Sequence, residues 1–393
     1  EYVPLVKLME AWRKLYPFEF EPYSTLSSYY QTTIGIDTAI AVMQQAAELS
    51  DREQALIKLI TLYQSKEDFA TAEETLKDLE TEYPNAEEID RRYVSLYRAS
   101  GEVDRARDKL NEMIAVDPLN ANLTFDLVRL EQAAGNYVAA ERQARKALEQ
   151  ATSYADSTNM WNGVIRALAG QGQITEALEE LDSYEDHISR TAPRIRIVLG
   201  NLSVRLNYLI MCGRYTDLDV VVREASTFDK QYTEIYSCYA PIYALANYQS
   251  RPEDLTMLLD CEDVIAQMGE GLLEVVTVYR LLLEDKYVKA AELLDEQLER
   301  GKNLIPYYLQ TSIFREAGDS DRALEIVNRE LPKSPQEPLL LLEKAQTLKA
   351  MGDTAAAIPL VESVLKTYAR ADADFVHLQR AQALAAELGL AIN

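Results

Sequence analysis

The 393-residue sequence predicts an all-α protein, a solenoid of helix–turn–helix units with a capping helix at its C-terminus. Three observations predict it. Glycine and proline number only 14 and 13, well under the roughly 12% the two make up in an average chain, and Ala, Leu and Glu are abundant, which favours helices throughout. A short turn motif then recurs: Gly101-Glu102-Val103-Asp104-Arg105-Ala106, Gly135-Asn136-Tyr137 leading to Ala140, and Gly172-Gln173-Ile174 leading to Ala177. Asp285-Lys286-Tyr287 leads in the same way to Ala290, Gly318-Asp319-Ser320 to Ala323, and Gly352-Asp353-Thr354 to Ala357. Aligned on the small residue, positions 5, 39, 72, 106, 140, 177, 218, 255, 290, 323 and 357 are 33 to 41 residues apart, most often 34. That period belongs to stacked helical hairpins. Leu stands in place of the small residue at 5, 218 and 255, the three weaker matches.

Composition removes several function classes. The net charge of −24 opposes binding to phosphate backbones, so DNA and RNA are not expected as main partners. No apolar run approaches the ~18 residues needed to span a bilayer, and no signal-like stretch opens the chain. Cys212, Cys238 and Cys261 have no metal-type spacing, and their odd number argues against a disulfide framework. They read as small buried fillers, Cys212 at the corner before Gly213-Arg214-Tyr215. His187 and His377 leave little material for a zinc site or a histidine-based triad. Gly170-Gln171-Gly172 lacks the residues of a phosphate loop, and acidic pairs such as Glu73 and Glu74 are what a solvated helix face presents. No catalytic residue, metal or cofactor is expected, and the protein is read as a non-enzyme.

The apolar positions add detail. Within the 34-residue unit, Trp161 and Tyr307 take position 4, Tyr30, Tyr63, Tyr97 and Phe314 position 11, and Pro17, Pro84, Pro118 and Pro335 position 32. On these residues the chain resembles the tetratricopeptide repeat (TPR) family over nearly its whole length, as a long, degenerate, bacterial-type array. The resemblance implies a right-handed α-solenoid of about ten repeats that acts as a non-catalytic scaffold for a protein or peptide partner.

In chain order, residues 1–19 read as the second helix of an incomplete repeat, closed by Pro17, which implies a piece of a longer protein. Its end layer at Leu5, Met9 and Trp12 is a candidate surface for homo-oligomers. Residues 20–150 are regular repeats, with Ser50-Asp51-Arg52-Glu53 at capping-box spacing. Residues 151–270 are degenerate, and their longer spacing predicts longer helices or loops. Residues 271–370 are regular again, with Ser334-Pro335-Gln336-Glu337 read as a helix start. Residues 371–393 form the capping helix, a solvating cover for the last repeat.

The resemblance also assigns a concave groove, lined by positions 2, 5, 9, 12 and 13 of each first helix. It places there Arg91, Arg98, Asn122, Phe125, Arg129, Asn159, Asn162, Arg166 and Asn207. Arginine forks and asparagine amides suit an acidic or extended peptide. The alternative is a solvated stripe whose arginines pair with neighbouring carboxylates. Further along the groove turns apolar, at Leu272, Val275, Tyr279, Ile305, Tyr308, Leu339 and Leu342. That stretch either takes an amphipathic helix or is buried by tight curvature. Among the tyrosines at 232, 236, 239, 243 and 248, Tyr239 and Tyr243 fall at packing positions and Tyr248 toward the groove. A rival function is a regulatory, sensor or oligomerisation module of a larger signalling or envelope-assembly protein. Unpaired cysteines and the lack of a signal lean toward the cytoplasm, with a periplasmic or membrane-anchored parent as the alternative.

Overall fold

The computed structural model describes residues 3–84, 88–151, 153–189, 193–228, 238, 240–249, 251, 253–261, 270–301 and 304–390. Among them the regular structure is entirely α-helical, and the chain divides into two compact units, residues 1–123 and 124–393. This division does not follow the regular and degenerate stretches read from the repeat spacing.

The first unit runs through α1 (Val3–Leu15), α2 (Glu21–Thr33), α3 (Ile36–Leu49), α4 (Arg52–Ser65), α5 (Phe69–Glu82), α6 (Ile89–Ala99) and α7 (Val103–Val116). Its helices pair as antiparallel neighbours around one core in which Tyr23, Leu26, Met43, Leu76 and Leu79 are almost wholly enclosed. The aligned alanines at 39, 72 and 106 are 0% exposed. A methyl group there lets one helix of a hairpin approach the other closely, and the larger residues fill the space between hairpins. The start of α4 sits one residue later than the capping box suggests: Asp51, not Ser50, accepts from the N–H of Gln54 at 3.1 Å. On α1, Met9 is buried and Trp12 is half-buried, its indole N–H bonded to Glu19 at 2.6 Å. Leu5 remains exposed, in company with Leu8 and Leu15.

Helix α8 (Ala121–Ala133) straddles the division. The second unit continues with α9 (Tyr137–Gln150), α10 (Tyr154–Gly170), α11 (Ile174–Ile188), α12 (Arg194–Met211) and α13 (Tyr215–Phe228). A helical stretch over 240–246, here α14, precedes α15 (Asp254–Asp260), α16 (Glu270–Leu283), α17 (Tyr287–Glu299) and α18 (Tyr307–Glu316). The last four are α19 (Ser320–Glu330), α20 (Pro338–Ala350), α21 (Thr354–Thr367) and α22 (Val376–Glu387). The stretched spacing appears as length: α10 and α12 have 17 and 18 residues, where α9 has 14.

Repeats of an open solenoid touch only their neighbours, but this second unit closes on itself. Its hairpin turns are fastened in order by the C-terminal third. At the first turn Gln336 donates its N–H to the Ala134 carbonyl at 2.8 Å, and Tyr137 donates its hydroxyl to Glu337 at 2.5 Å. At the next, Asp372 donates its N–H to the Gly172 carbonyl at 2.9 Å and its carboxylate accepts from the Thr175 N–H at 2.8 Å and hydroxyl at 2.7 Å. Arg214, in the turn after α12, donates to Asp372 and Asp374, each at 2.8 Å. Glycine is required where these backbones meet. A Cβ on Gly135 would lie 2.3 Å from Gln336 backbone, and one on Gly172 would lie 2.5 Å from the Phe375 ring, with φ at +79° and +76°. One core accordingly joins Val128, Val164 and Leu168 to Leu342, Val361, Phe375 and Leu384. The segment read as a helix start at Ser334 is instead part of this closure; α20 begins at Pro338, because Gln336 and Glu337 are engaged with the first turn.

A second departure concerns the cysteines. Cys238 and Cys261 form a disulfide with Cα atoms 5.5 Å apart, whereas Cys212 is free and buried. Twenty-three residues of separation carry no spacing signal; only the fold shows that the two ends meet. The lean toward the cytoplasm drawn from unpaired cysteines loses that support, since disulfides persist in oxidising surroundings.

Candidate functional site

The second unit encloses a concave cavity of about 910 Å³, within the size range of binding sites. One wall comes from α14, α15 and the turn between them, with Leu245, Tyr248, Arg251 and Leu255. Leu282 and Leu283 end α16; Ser312, Ile313, Arg315 and Glu316 come from α18; Gln346, Lys349 and Ala350 from α20. The capping helix α22 supplies the remaining wall through Arg380, Ala383, Leu384 and Glu387.

Polar groups converge in these walls. Glu343, 0% exposed, accepts from Arg380 at 2.6 Å and from Arg315 at 3.1 Å, and Gln346 accepts from Arg315 at 2.9 Å. Lys349 pairs with Glu387. These contacts neutralise the charges but leave donors over: Arg315 Nε and Arg380 Nη1 are buried and have no hydrogen-bond partner among the described residues. A buried donor without an acceptor is costly, and these two are closed to solvent. Arg380 also lies over the Tyr248 ring, 3.4 Å from its centre, a cation–π contact.

Tyr248 holds this position against its own backbone preference. Its φ is +57°, in the left-handed region that the turns at Gly101, Gly135, Gly172, Gly213, Gly318 and Gly352 give to glycine. Asn247 beside it donates to Asn207 at 2.9 Å and accepts from His377 at 3.2 Å. His377 is 1% exposed, and burial, aided by the Arg380 charge, holds its pKa down at about 3. The imidazole is therefore neutral and donates through Nε2.

Residues 125–193 match the tetratricopeptide repeat family. That segment, from α8 to the residues after α11, carries the tetratricopeptide repeat pattern. No curated protein matches it by sequence. Among solved structures it is similar to a chain of Naa15/Naa10 bound to HypK-THB, at 16% identity over 98% of this chain and 62% of that chain, with a TM-score of 0.34. It is also similar to yeast Tom70, at 13% identity over 98% of this chain and 91% of that one, with a TM-score of 0.38. The chain thus spans less than two thirds of the Naa15/Naa10 chain it matches. Tetratricopeptide arrays are typically protein–protein interaction scaffolds and generally lack catalysis.

The expected groove residues distribute unevenly. In the first unit Arg91 is half-buried and paired with Glu88 at 3.8 Å, and Arg98 and Asn122 are exposed. In the second unit Arg129 is exposed beside half-buried Phe125, 5.8 Å from its ring centre. Asn159 is half-buried; Asn162 is exposed and donates to its own helix at Thr158, at 3.0 Å. Arg166 is exposed, and Asn207 is taken up by Asn247. None of these lines the cavity.

The apolar candidates also lie beside it. Val275, Tyr279, Ile305 and Leu342 are core residues, Leu339 and Tyr308 are half-buried, and the side chain of Leu272 falls outside the described residues. In α18 and α20 the last turn faces the cavity. Positions 9, 12 and 13 of the last two inner helices are Ser312, Arg315 and Glu316, then Gln346, Lys349 and Ala350, and all six line the cavity. The same positions in earlier repeats hold Arg98, Arg129 and Arg166, which do not line the cavity. Tyr248 was legible at position 13, while Tyr232, Tyr236 and Tyr239 lie outside the described residues.

Two other clusters have internal roles. His187 stacks on Tyr154, with ring centres 5.5 Å apart, and contacts Trp161 at 4.7 Å. Cys212, Asp372 and Asp374 bring metal-type ligand atoms together, but the Arg214 guanidinium already supplies the positive charge there. Burial pushes the Cys212 thiol up, which suits an unreactive side chain. Among the described residues no helix is long and apolar enough to cross a membrane.

Proposed function

We propose that the chain is a non-catalytic scaffold that docks a partner peptide segment in the cavity of its second unit. The observation that carries this reading is a concave cavity of about 910 Å³ with mixed polar and apolar walls, to which Ser312, Arg315, Glu316, Gln346, Lys349 and Ala350 of successive repeats all contribute. A peptide supplies both complements: apolar side chains for Leu245, Leu283, Leu309 and Ile313, and carbonyl or carboxylate oxygens for the accessible ends of Arg251 and Lys349. Net attraction of anions plays a small part, because every cationic wall residue already has a carboxylate beside it.

A second reading rests on the exposure of Arg129, Asn162 and Arg166, which leaves that stripe able to contact a partner. One experiment separates the two. Peptides selected on the whole chain from a displayed random library are measured by titration calorimetry. Ala350 and Ala383 are exposed wall residues, so Ala350→Trp and Ala383→Trp fill the cavity without entering the core. The cavity reading expects each to weaken binding at least tenfold, ~1.4 kcal/mol, while an Arg129→Ala, Arg166→Ala variant binds as before. The opposite pattern would move the site to the stripe.

A further inference from the structure

The cavity wall formed by Leu245, Tyr248, Arg251 and Leu255 lies wholly between Cys238 and Cys261. The same interval contains Asn247, which holds His377 of the capping helix, and Tyr248, on which Arg380 stacks. The described part of the interval is held in several places: Ala244 and Leu258 are packed in the core, Arg251 donates its N–H to Asp254 at 2.7 Å, and its turn carries a non-glycine residue at positive φ. Its last helix, α15, has seven residues, too few for its own backbone ladder to fix it, and depends on what ties its ends. The disulfide ties its C-terminal end at Cys261. One sulfur is buried, at Cys238, and the other is half-buried at the C-terminal end of α15, at Cys261.

We propose that the Cys238–Cys261 bond is a redox control on the cavity and on the seating of the capping helix. In the oxidised chain the wall stands against α22. A dithiol reductant reverses this: its thiolate attacks the Cys261 sulfur, the Cys238 thiolate leaves and takes up a proton, and the second reductant thiol expels Cys261. The protein disulfide gains two electrons and two protons, and the reductant ends as a disulfide. The released interval then regains the freedom that the crosslink removed. The Asn247–His377 and Tyr248–Arg380 contacts loosen together, because both partners on one side belong to that interval. The effect on ligand binding rests on the cavity reading above; the effect on the wall and capping helix does not.

The test uses the full chain with and without dithiothreitol, beside a Cys238→Ala, Cys261→Ala variant. Thiol labelling comes first: the native chain should expose no reactive thiol, the unfolded unreduced chain one and the unfolded reduced chain three. Three thiols before reduction overturn the proposal. Hydrogen exchange then reads residues 240–249 and 376–387. Reduction should speed exchange in both at least tenfold, with 338–367 unchanged, and the double variant should match the reduced chain. Should that variant not fold, reduction of the folded wild type still decides. Equal exchange in both redox states, or acceleration in 240–249 alone, overturns the coupling. The library-selected peptide should bind at least tenfold more weakly to the reduced chain. Unchanged affinity beside accelerated exchange would end the claim of control over binding, whereas a library yielding no peptide that the cavity-filling variants disrupt would retire the cavity reading and leave the exchange result standing.

Discussion

His377 shows how a single side chain reports the closure of the second unit. On the sequence it sits in an amphipathic helix read as a solvating cover; in the fold it is buried and hydrogen-bonded to Asn247, 130 residues away. Burial lowers its pKa from 6.5 to about 3. Between those values the unfolded chain binds a proton that the folded chain refuses. Its contribution to stability is thus complete above pH 6.5 and is lost as the pH falls toward 3, by up to ~1.4 kcal/mol per pH unit. Glu337 works in the opposite sense, because burial raises its carboxyl, so wild type alone would mix the two. Denaturant unfolding at pH 7 and pH 5 should show wild type losing ~1–2 kcal/mol more than His377→Gln. Parallel losses would mean that the imidazole is hydrated in the folded chain. Nothing in the sequence marks His377 as buried, because its partner lies in another hairpin.

At the scale of the helix, local signals predict presence well and boundaries less well. Asp51, Asp68, Asp319 and Asp353 each accept from a backbone N–H three residues on, and of these Asp51 lies in the capping-box stretch and Asp319 and Asp353 in the recurring turn motif. Among the described residues the Asp353 side chain bonds only the Ala356 N–H, at 3.1 Å. Asp353→Ala should therefore cost ~1 kcal/mol, read as a lower midpoint with an unchanged denaturant slope, and Asp353→Asn should restore most of it. A loss above ~3 kcal/mol would show a role beyond capping. The start of α20 illustrates the limit of such signals. Ser334 to Glu337 carry the right residue types at the right spacing, yet the N–H of Gln336 and the carboxylate of Glu337 are committed to the turn after α8.

Over the whole molecule, the closing contacts found among the described residues belong to the second unit. Gly135 and Gly352 test this, since both occupy the left-handed region but only one is crowded. A Cβ on Gly352 meets nothing within 4 Å, while one on Gly135 would overlap the Gln336 backbone. Gly352→Ala should cost only the conformational strain, ~1–2 kcal/mol. Gly135→Ala adds a backbone clash and should cost ~2–4 kcal/mol, with faster hydrogen exchange at 334–340 and unchanged protection in α2 to α5. Equal costs for the two variants would mean that the closure is not formed in solution.

The sequence by itself determined the helical hairpin, its 34-residue period and the burial of its small residues. The aligned alanines at 39, 72, 106, 140, 177, 290, 323 and 357 are all 0% exposed. Those features follow from contacts within one hairpin or between adjacent ones, which recur along the chain and so leave a periodic trace. The closure of residues 336–387 onto the turns at 134–136, 171–173, 212–214 and 247–249, the Cys238–Cys261 bond and the cavity they frame were decided only by the tertiary structure. Each joins residues by a contact made once, between parts whose separation in the chain matches no period. The rise and rotation accumulated over several hairpins decide whether such parts meet, and no local pattern encodes that sum.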